Sequence, residues 1–184
     1  MPDLYRTISG ALFRAPNLEH NNRDHIPWNA AQERADRNVI LVNGTKEFTL
    51  EQVYDKLFQK SYEEWLVKER KKSRAKDDPP TYYEKIGKDK KKHLSYEIIW
   101  QIGDMDDTGY DTDNLSAIWA EDVLLRFADH LMFEVPNVTI ASKCCLEDPE
   151  WKPPFEAGIV ITNFAFNGDE STPHLHMTFV PYSD

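Results

Sequence analysis

His174-Leu175-His176 sits between two apolar runs, Gly158-Ile159-Val160-Ile161-Thr162 and Met177-Thr178-Phe179-Val180. Such runs look like strands, so the chain is expected to build a sheet around the histidine pair. In a strand, residues i and i+2 point to one face. His174 and His176 therefore present two imidazoles side by side, while Leu175 turns into a core. Two neutral imidazoles on one rigid face are most of a divalent-metal site. Pro173 suits the first position of that strand, where a missing backbone donor does least harm. Asp169 and Glu170 lie just upstream. Two carboxylates beside two imidazoles are costly to cluster unless something positive binds there.

The rest of the chain reads as a mixture of strands and helices. Val39-Ile40-Leu41-Val42 is a short apolar strand closed by an Asn43-Gly44 turn. Thr49, with Gln52 three residues on, is a capping box opening a helix from Leu50 to about Lys72. Its apolar positions Val53, Tyr54, Leu57, Phe58, Tyr62 and Trp65 recur at helical spacing. A short helix over Tyr82 to Ile86 stops at Gly87. Leu94 to Ile102 is a strand with Tyr96, Ile98, Trp100 and Ile102 on one face. Asp104 to Asn114 is an acidic turn, and Leu115 to Phe133 is a helix with Val123, Leu124, Phe127 and Leu131 inward. Val138 to Cys145 and Ile159 to Phe166 are expected strands, and a short strand lies near Tyr5 to Ile8. Antiparallel strands with two long helices give an α+β fold in one domain, residues 1–184, with a basic helical excursion over about 50–92.

The formal net charge is −10, yet eleven of the 22 basic residues fall between Lys68 and Lys92, against five acids there. That stretch is either a solvated helix face or a surface that tracks phosphates. Tyr82 and Tyr83 within it are either core residues or stacking platforms. No segment approaches the roughly 20 apolar residues of a membrane span. Cys144 and Cys145 are adjacent and argue for no structural bridge, so the cytoplasm is the expected compartment.

Three ordered blocks resemble one family. Asn167-Gly168-Asp169-Glu170-Ser171-Thr172-Pro173-His174-Leu175-His176 resembles the His-x-Asp-Glu-x-Thr-Pro-His-x-His motif of plasmid mobilisation relaxases of the Pre/Mob (plasmid recombination enzyme) family, which are His-hydrophobic-His endonucleases. His20-Asn21-Asn22-Arg23 resembles the family's His-Asn-x-Arg motif. Asn29 to Arg34, with Asn38, resembles its following Asn…Arg…Asn pattern. Segments at Tyr82 to Ile86 and Tyr96 to Gly103 lie between them in the family's order, so the likeness spans about His20 to Pro181.

The resemblance implies a central antiparallel sheet of about five strands, helices packed on one side, and the histidine strand in the middle. It implies strand-specific DNA nicking and joining in plasmid mobilisation, conjugation or recombination, through a covalent phospho-histidine adduct on His20 that Glu170 orients. His174, His176 and Asn167 would hold the metal. Because the family's first motif histidine is Asn167 here, an amide oxygen replaces an imidazole, and manganese or magnesium is the expected ion. Asp169 is an alternative ligand. Asn21, Arg23, Arg34 and Asn38 would contact DNA, the partner being an origin-of-transfer hairpin and its single strand. Relatives continue into a C-terminal part used for dimerisation, so a homodimer through such a part is also implied. Two alternatives stay open: a non-catalytic module of the same fold that grips a DNA hairpin, and a replication initiator using a tyrosine such as Tyr82 or Tyr83.

Overall fold

The computed structural model describes residues 8–14, 16–28, 30–70, 79–103, 115–170 and 172–183. The acidic turn from Asp104 to Asn114, the basic residues 71–78, Tyr5 and Asn29 lie outside them. The fold is α+β, as its sequence pattern requires. Strands β1 (Ile8–Phe13), β2 (Val39–Asn43), β3 (Tyr96–Ile102), β4 (Val138–Ile140), β5 (Ala157–Asn167) and β6 (His174–Ser183) form one sheet. Its order is β1-β3-β6-β5-β2, all antiparallel, with β4 added in parallel beside β5. The histidine strand β6 is thus the central strand of the five-strand path.

Helix α6 (Leu115–Phe133) covers one face. Ala120, Leu124, Ala128 and Met132 recur every four residues and are buried against Ile161, Phe164, Phe166, Leu175, Met177 and Phe179. The opposite face carries a second layer. It comprises α2 (Gly44–Glu47), α3 (Leu50–Tyr54), a π-helical turn over Asp55–Gln59, α4 (Lys60–Arg70), α5 (Tyr82–Gly87) and α7 (Lys143–Glu147). Val53, Tyr54, Ile86 and Leu146 bury there against Val160 and Val180. Helices therefore cover both faces rather than one, because β5 and β6 are apolar on both sides around Val160 and Val180.

Capping boxes start α3 and α5, with Thr49 and Thr81 each accepting from the backbone three residues on. The expected helix from Leu50 continues through the π turn. The expected strand from Val138 to Cys145 stops at Ile140, because Ser142 Oγ accepts from Cys145 N and caps α7 instead. The Asn43-Gly44 turn is the start of α2, and Gly44 is there for space. A Cβ on it would lie 1.9 Å from the Thr162 carbonyl oxygen.

Two irregularities position the site. β5 shifts register between Ile161 and Asn163. The extra residue reverses the alternation, so Ile159, Ile161, Phe164 and Phe166 all join the α6 layer. Asn163, Ala165 and Asn167 are left facing the other way, opposite Thr178, His176 and His174. The second irregularity is the connection from β1 to β2. It folds as a single helical turn, α1 (Leu18–Asn21), and a 3-10 turn over Gln32–Arg37.

Candidate metal and phosphate site

The floor is the polar end of the sheet face away from α6. On β6, His174 and His176 point up beside Asn167 and Ala165 of β5 and Gln101 and Ile99 of β3. Ala165 is small, which leaves room above His176. Glu97 lies one diagonal step away and is 4% exposed. Its Oε1 accepts from His176 Nδ1 at 3.0 Å and from the Asn21 side-chain amide. A carboxylate accepts only, so the His176 proton sits on Nδ1 and Nε2 keeps its lone pair. His174 Nδ1 donates to the Thr172 carbonyl at 2.7 Å, which frees its Nε2 in the same way.

The roof is α1. Asn17 caps it by accepting from His20 N. Asn21 and Asn22 pin its far end: Asn21 to Glu97, Asn22 to Thr45 at 2.8 Å and to Asn163 at 2.9 Å. This anchorage brings His20 over the strand pair. The His20 ring lies 5.4 Å from His176, and the His174 and His176 rings are 4.7 Å apart. One ligand nitrogen from each of His20, His174 and His176 lies within 4.8 Å of the others. Three imidazoles are thus close enough to hold one metal ion.

Carboxylates surround this group. Glu170 Oε1 is 3.2 Å from His20 Nε2 and 3.9 Å from His174 Nε2. Arg23 spans the acidic pair: Nε reaches both Asp169 oxygens at 3.1 Å, and Nη2 reaches Asp169 at 2.5 Å and Glu170 at 2.6 Å. Its Nη1 donates to the His20 carbonyl at 2.9 Å and to Asn167, whose amide turns its oxygen to Arg23 at 3.2 Å. Arg23 does this from a left-handed backbone, φ 56°, a conformation that costs a non-glycine residue about 1–2 kcal/mol. Ala31 N also donates to the Asp169 carbonyl at 2.8 Å, so the chain after α1 is fastened to the turn before β6.

Asp169 and Glu170 share the Arg23 guanidinium, Glu97 lies behind His176, and this excess of carboxylates suits a cation. Burial, helped by the neighbouring imidazole of His176, pulls the His174 ring down to about 4. Burial also lowers His20, and Glu170 only partly offsets it. Both rings are neutral near pH 7, the form that ligates and attacks. Burial pushes the Asp169 carboxyl up, but hydrogen bonds from Arg23 and Asn38 outweigh it and hold the group below its usual range.

Measured against the sequence expectations, His20, Glu170, His174 and His176 converge. Other expected residues take different places. Asn21 is 1% exposed at the far end of α1, where its amide joins that helix to Glu97. Asn38 orients the turn, donating to Asp169 at 2.8 Å and accepting from Gly168 N at 2.9 Å. Asn167, next to His174, commits its amide to Arg23 and to the carbonyls of Phe166 and Asn21; His20 supplies the third donor instead. Asp169 is taken up by Arg23. Arg34 lies on the 3-10 turn, where its backbone N donates to the Ala31 carbonyl. Tyr82 and Tyr83 pack with Tyr54, and Tyr82 lines a separate concavity with Pro181, Tyr182 and Ser183 at the far end of β6. Sequence reading missed Glu97. Its signal was an acid on the polar side of an otherwise apolar strand.

Comparison with family models, with curated proteins and with solved structures gives no match to this chain. No helix among the described residues is long and apolar enough to cross a membrane.

Proposed function

We propose that the protein is a metal-dependent relaxase that nicks and rejoins one DNA strand, with His20 as its nucleophile. The meeting of His20 with Glu170 and the His174–His176 pair carries this reading, since about 150 residues of chain separate them. An ion held by His174 and His176 would supply Lewis-acid polarisation of a phosphoryl oxygen. The imidazole donors of His174 and His176 favour a transition ion such as zinc, nickel or manganese over magnesium, and the amide oxygen of Asn167 is engaged elsewhere.

The residues divide the remaining work. Glu170 accepts from His20 Nε2–H and leaves the Nδ1 lone pair for phosphorus. As the Nδ1–P bond forms, the phosphorus–oxygen ester bond breaks, and the departing deoxyribose oxygen takes a proton from solvent. The imidazolium left on His20 is stabilised by the Glu170 carboxylate. Rejoining is the reverse: a strand hydroxyl attacks phosphorus, loses its proton to solvent and releases neutral His20. Arg23 holds Glu170 and the His20 carbonyl in register, with its donors used inside the protein.

The 4.8 Å three-imidazole group favours a second reading, in which His20 is a metal ligand and the domain grips DNA without cutting it. The Tyr82 or Tyr83 nucleophile has no comparable support, given their distance from the histidines. Incubation with supercoiled plasmid and manganese separates the readings. A nucleophilic His20 gives nicking and a covalent adduct, both lost in His20→Ala while metal affinity is largely kept. A ligating His20 gives no adduct, and His20→Ala lowers metal affinity at least as much as His174→Ala. Equal nicking by wild type, His20→Ala and His174→Ala eliminates the mechanism.

A further inference from the structure

A second concavity, of about 750 Å³, opens over the other end of β6, on the same sheet face as the imidazoles. The π turn, α4, α5 and the end of β6 wall it. Its rings include Tyr62, Trp65, Tyr82 and Tyr182, and its charged groups are Lys85 and Lys92. Among the described residues, no Asp or Glu lines this cleft.

Part of the ring cluster is ordinary core. Tyr54 and Tyr62 are buried, and Tyr54 donates to the Leu94 carbonyl at 3.0 Å. The rim is different. Trp65 is 44% exposed and stacks on Tyr62 with an interplanar angle of 13°. Lys85 Nζ lies 4.0 Å above the Trp65 ring and 5.1 Å from that of Tyr62. Lys88, Lys90 and Lys91 extend the positive surface from the end of α5. The exposed Trp65 ring beside the half-buried Tyr82, with ammonium groups and no carboxylate among the described lining residues, matches unpaired bases joined by phosphates.

We propose that this cleft binds single-stranded DNA by stacking unpaired bases on Trp65 and Tyr82, with Lys85 and Lys92 on the phosphates. It rests on the DNA substrate proposed above and gives that substrate a second hold, roughly 20 Å along β6 from the reacting phosphate. The strand would run along one face of the sheet, from the cleft to the three histidines.

The test is anisotropy of a fluorescein-labelled single-stranded 15-mer on the full chain, in EDTA so that metal-dependent nicking is silent. Trp65→Ala should weaken binding about tenfold or more. Lys85→Ala with Lys92→Ala should flatten the salt dependence by about 1.4 logarithmic units per decade of salt, two single-strand phosphates' worth. Phe133→Ala, an exposed ring on the α6 face, should change nothing. A duplex of the same length should bind more weakly, and a poly-glutamate of equal charge should compete poorly. Unchanged affinity in Trp65→Ala, with its melting temperature intact, overturns the cleft assignment, as does equal binding of duplex or poly-glutamate. Trp65-dependent binding in EDTA, with no plasmid nicking in manganese, leaves the cleft standing and removes the relaxase reading; plasmid nicking in manganese with Trp65-independent binding does the reverse.

Discussion

Glu97 gives the sharpest handle on the site, because it is buried beneath it and touches no solvent-side chemistry. Its Oε1 receives two donors, the Asn21 amide and His176 Nδ1–H. Glu97→Gln keeps an acceptor oxygen of the same reach and removes the carboxylate behind His176. Loss of such a backing group lowers metal affinity about 10- to 100-fold, or about 1.4–2.7 kcal/mol, with little change in folding. Glu97→Leu removes the acceptor altogether and strands both donors in a dry layer. Each stranded group costs about 1–3 kcal/mol, so about 4 kcal/mol of stability should go, less whatever the leucine recovers by burial. The assay is paired: competition for zinc or manganese against a chromophoric chelator, and urea unfolding of the metal-free protein. Glu97→Gln should lose affinity and keep its urea midpoint; Glu97→Leu should lose both. Wild-type affinity in Glu97→Gln, or wild-type stability in Glu97→Leu, refutes the reasoning that the buried carboxylate orients His176 and anchors α1.

Other consequences are open to simple measurements. Arg23→Lys keeps the charge but not the fork that grips Asp169 and Glu170; urea unfolding should show a loss of about 2 kcal/mol, and an unchanged midpoint would mean the pairing is idle. The folded His174 ring titrates near 4, below its unfolded value. The unfolded chain therefore takes up the proton first as pH falls. Metal-free stability should be full above about pH 6.5 and decline toward pH 4 by about 3 kcal/mol from this group; denaturant unfolding that is flat across that window contradicts the burial of the ring. Gly44→Ala forces a Cβ against the Thr162 carbonyl and should cost about 1–3 kcal/mol. Gly87→Ala, whose nearest neighbour is Leu94 Cδ1 at 3.6 Å, should be nearly neutral by thermal melting.

What the sequence reveals and conceals follows from the range of each interaction. Thr49 and Thr81 cap their helices through contacts three residues away, so both starts are legible in the chain itself. His174 and His176 share a face by strand geometry alone. Ser142 was an equally local signal, outweighed by the apolar run before it, and α7 was read as strand. The bulge near Thr162 is different. The run from Ile159 to Phe166 is apolar on either side of Thr162-Asn163, and a polar pair of that kind does not by itself signal a shift in register. Nor does the order of residues show that Glu97 lies diagonally from His176, or that Arg23 reaches across 146 positions to Asp169. These depend on which strands pair and in what register. The roles expected of Asn21 and Asn38 changed for the same reason: each amide found a partner inside the protein.

The central claim is that segments from opposite ends of the chain bring three imidazoles together at one site, where His174 and His176 hold a cation and His20 stands beside it. Anomalous diffraction from crystals grown with manganese tests it most directly. A single peak should lie within about 2.0–2.3 Å of a nitrogen of His174 and of His176, with the His20 ring beside it. No peak there, or an ion bound elsewhere with the His20 ring turned away to solvent, contradicts the account.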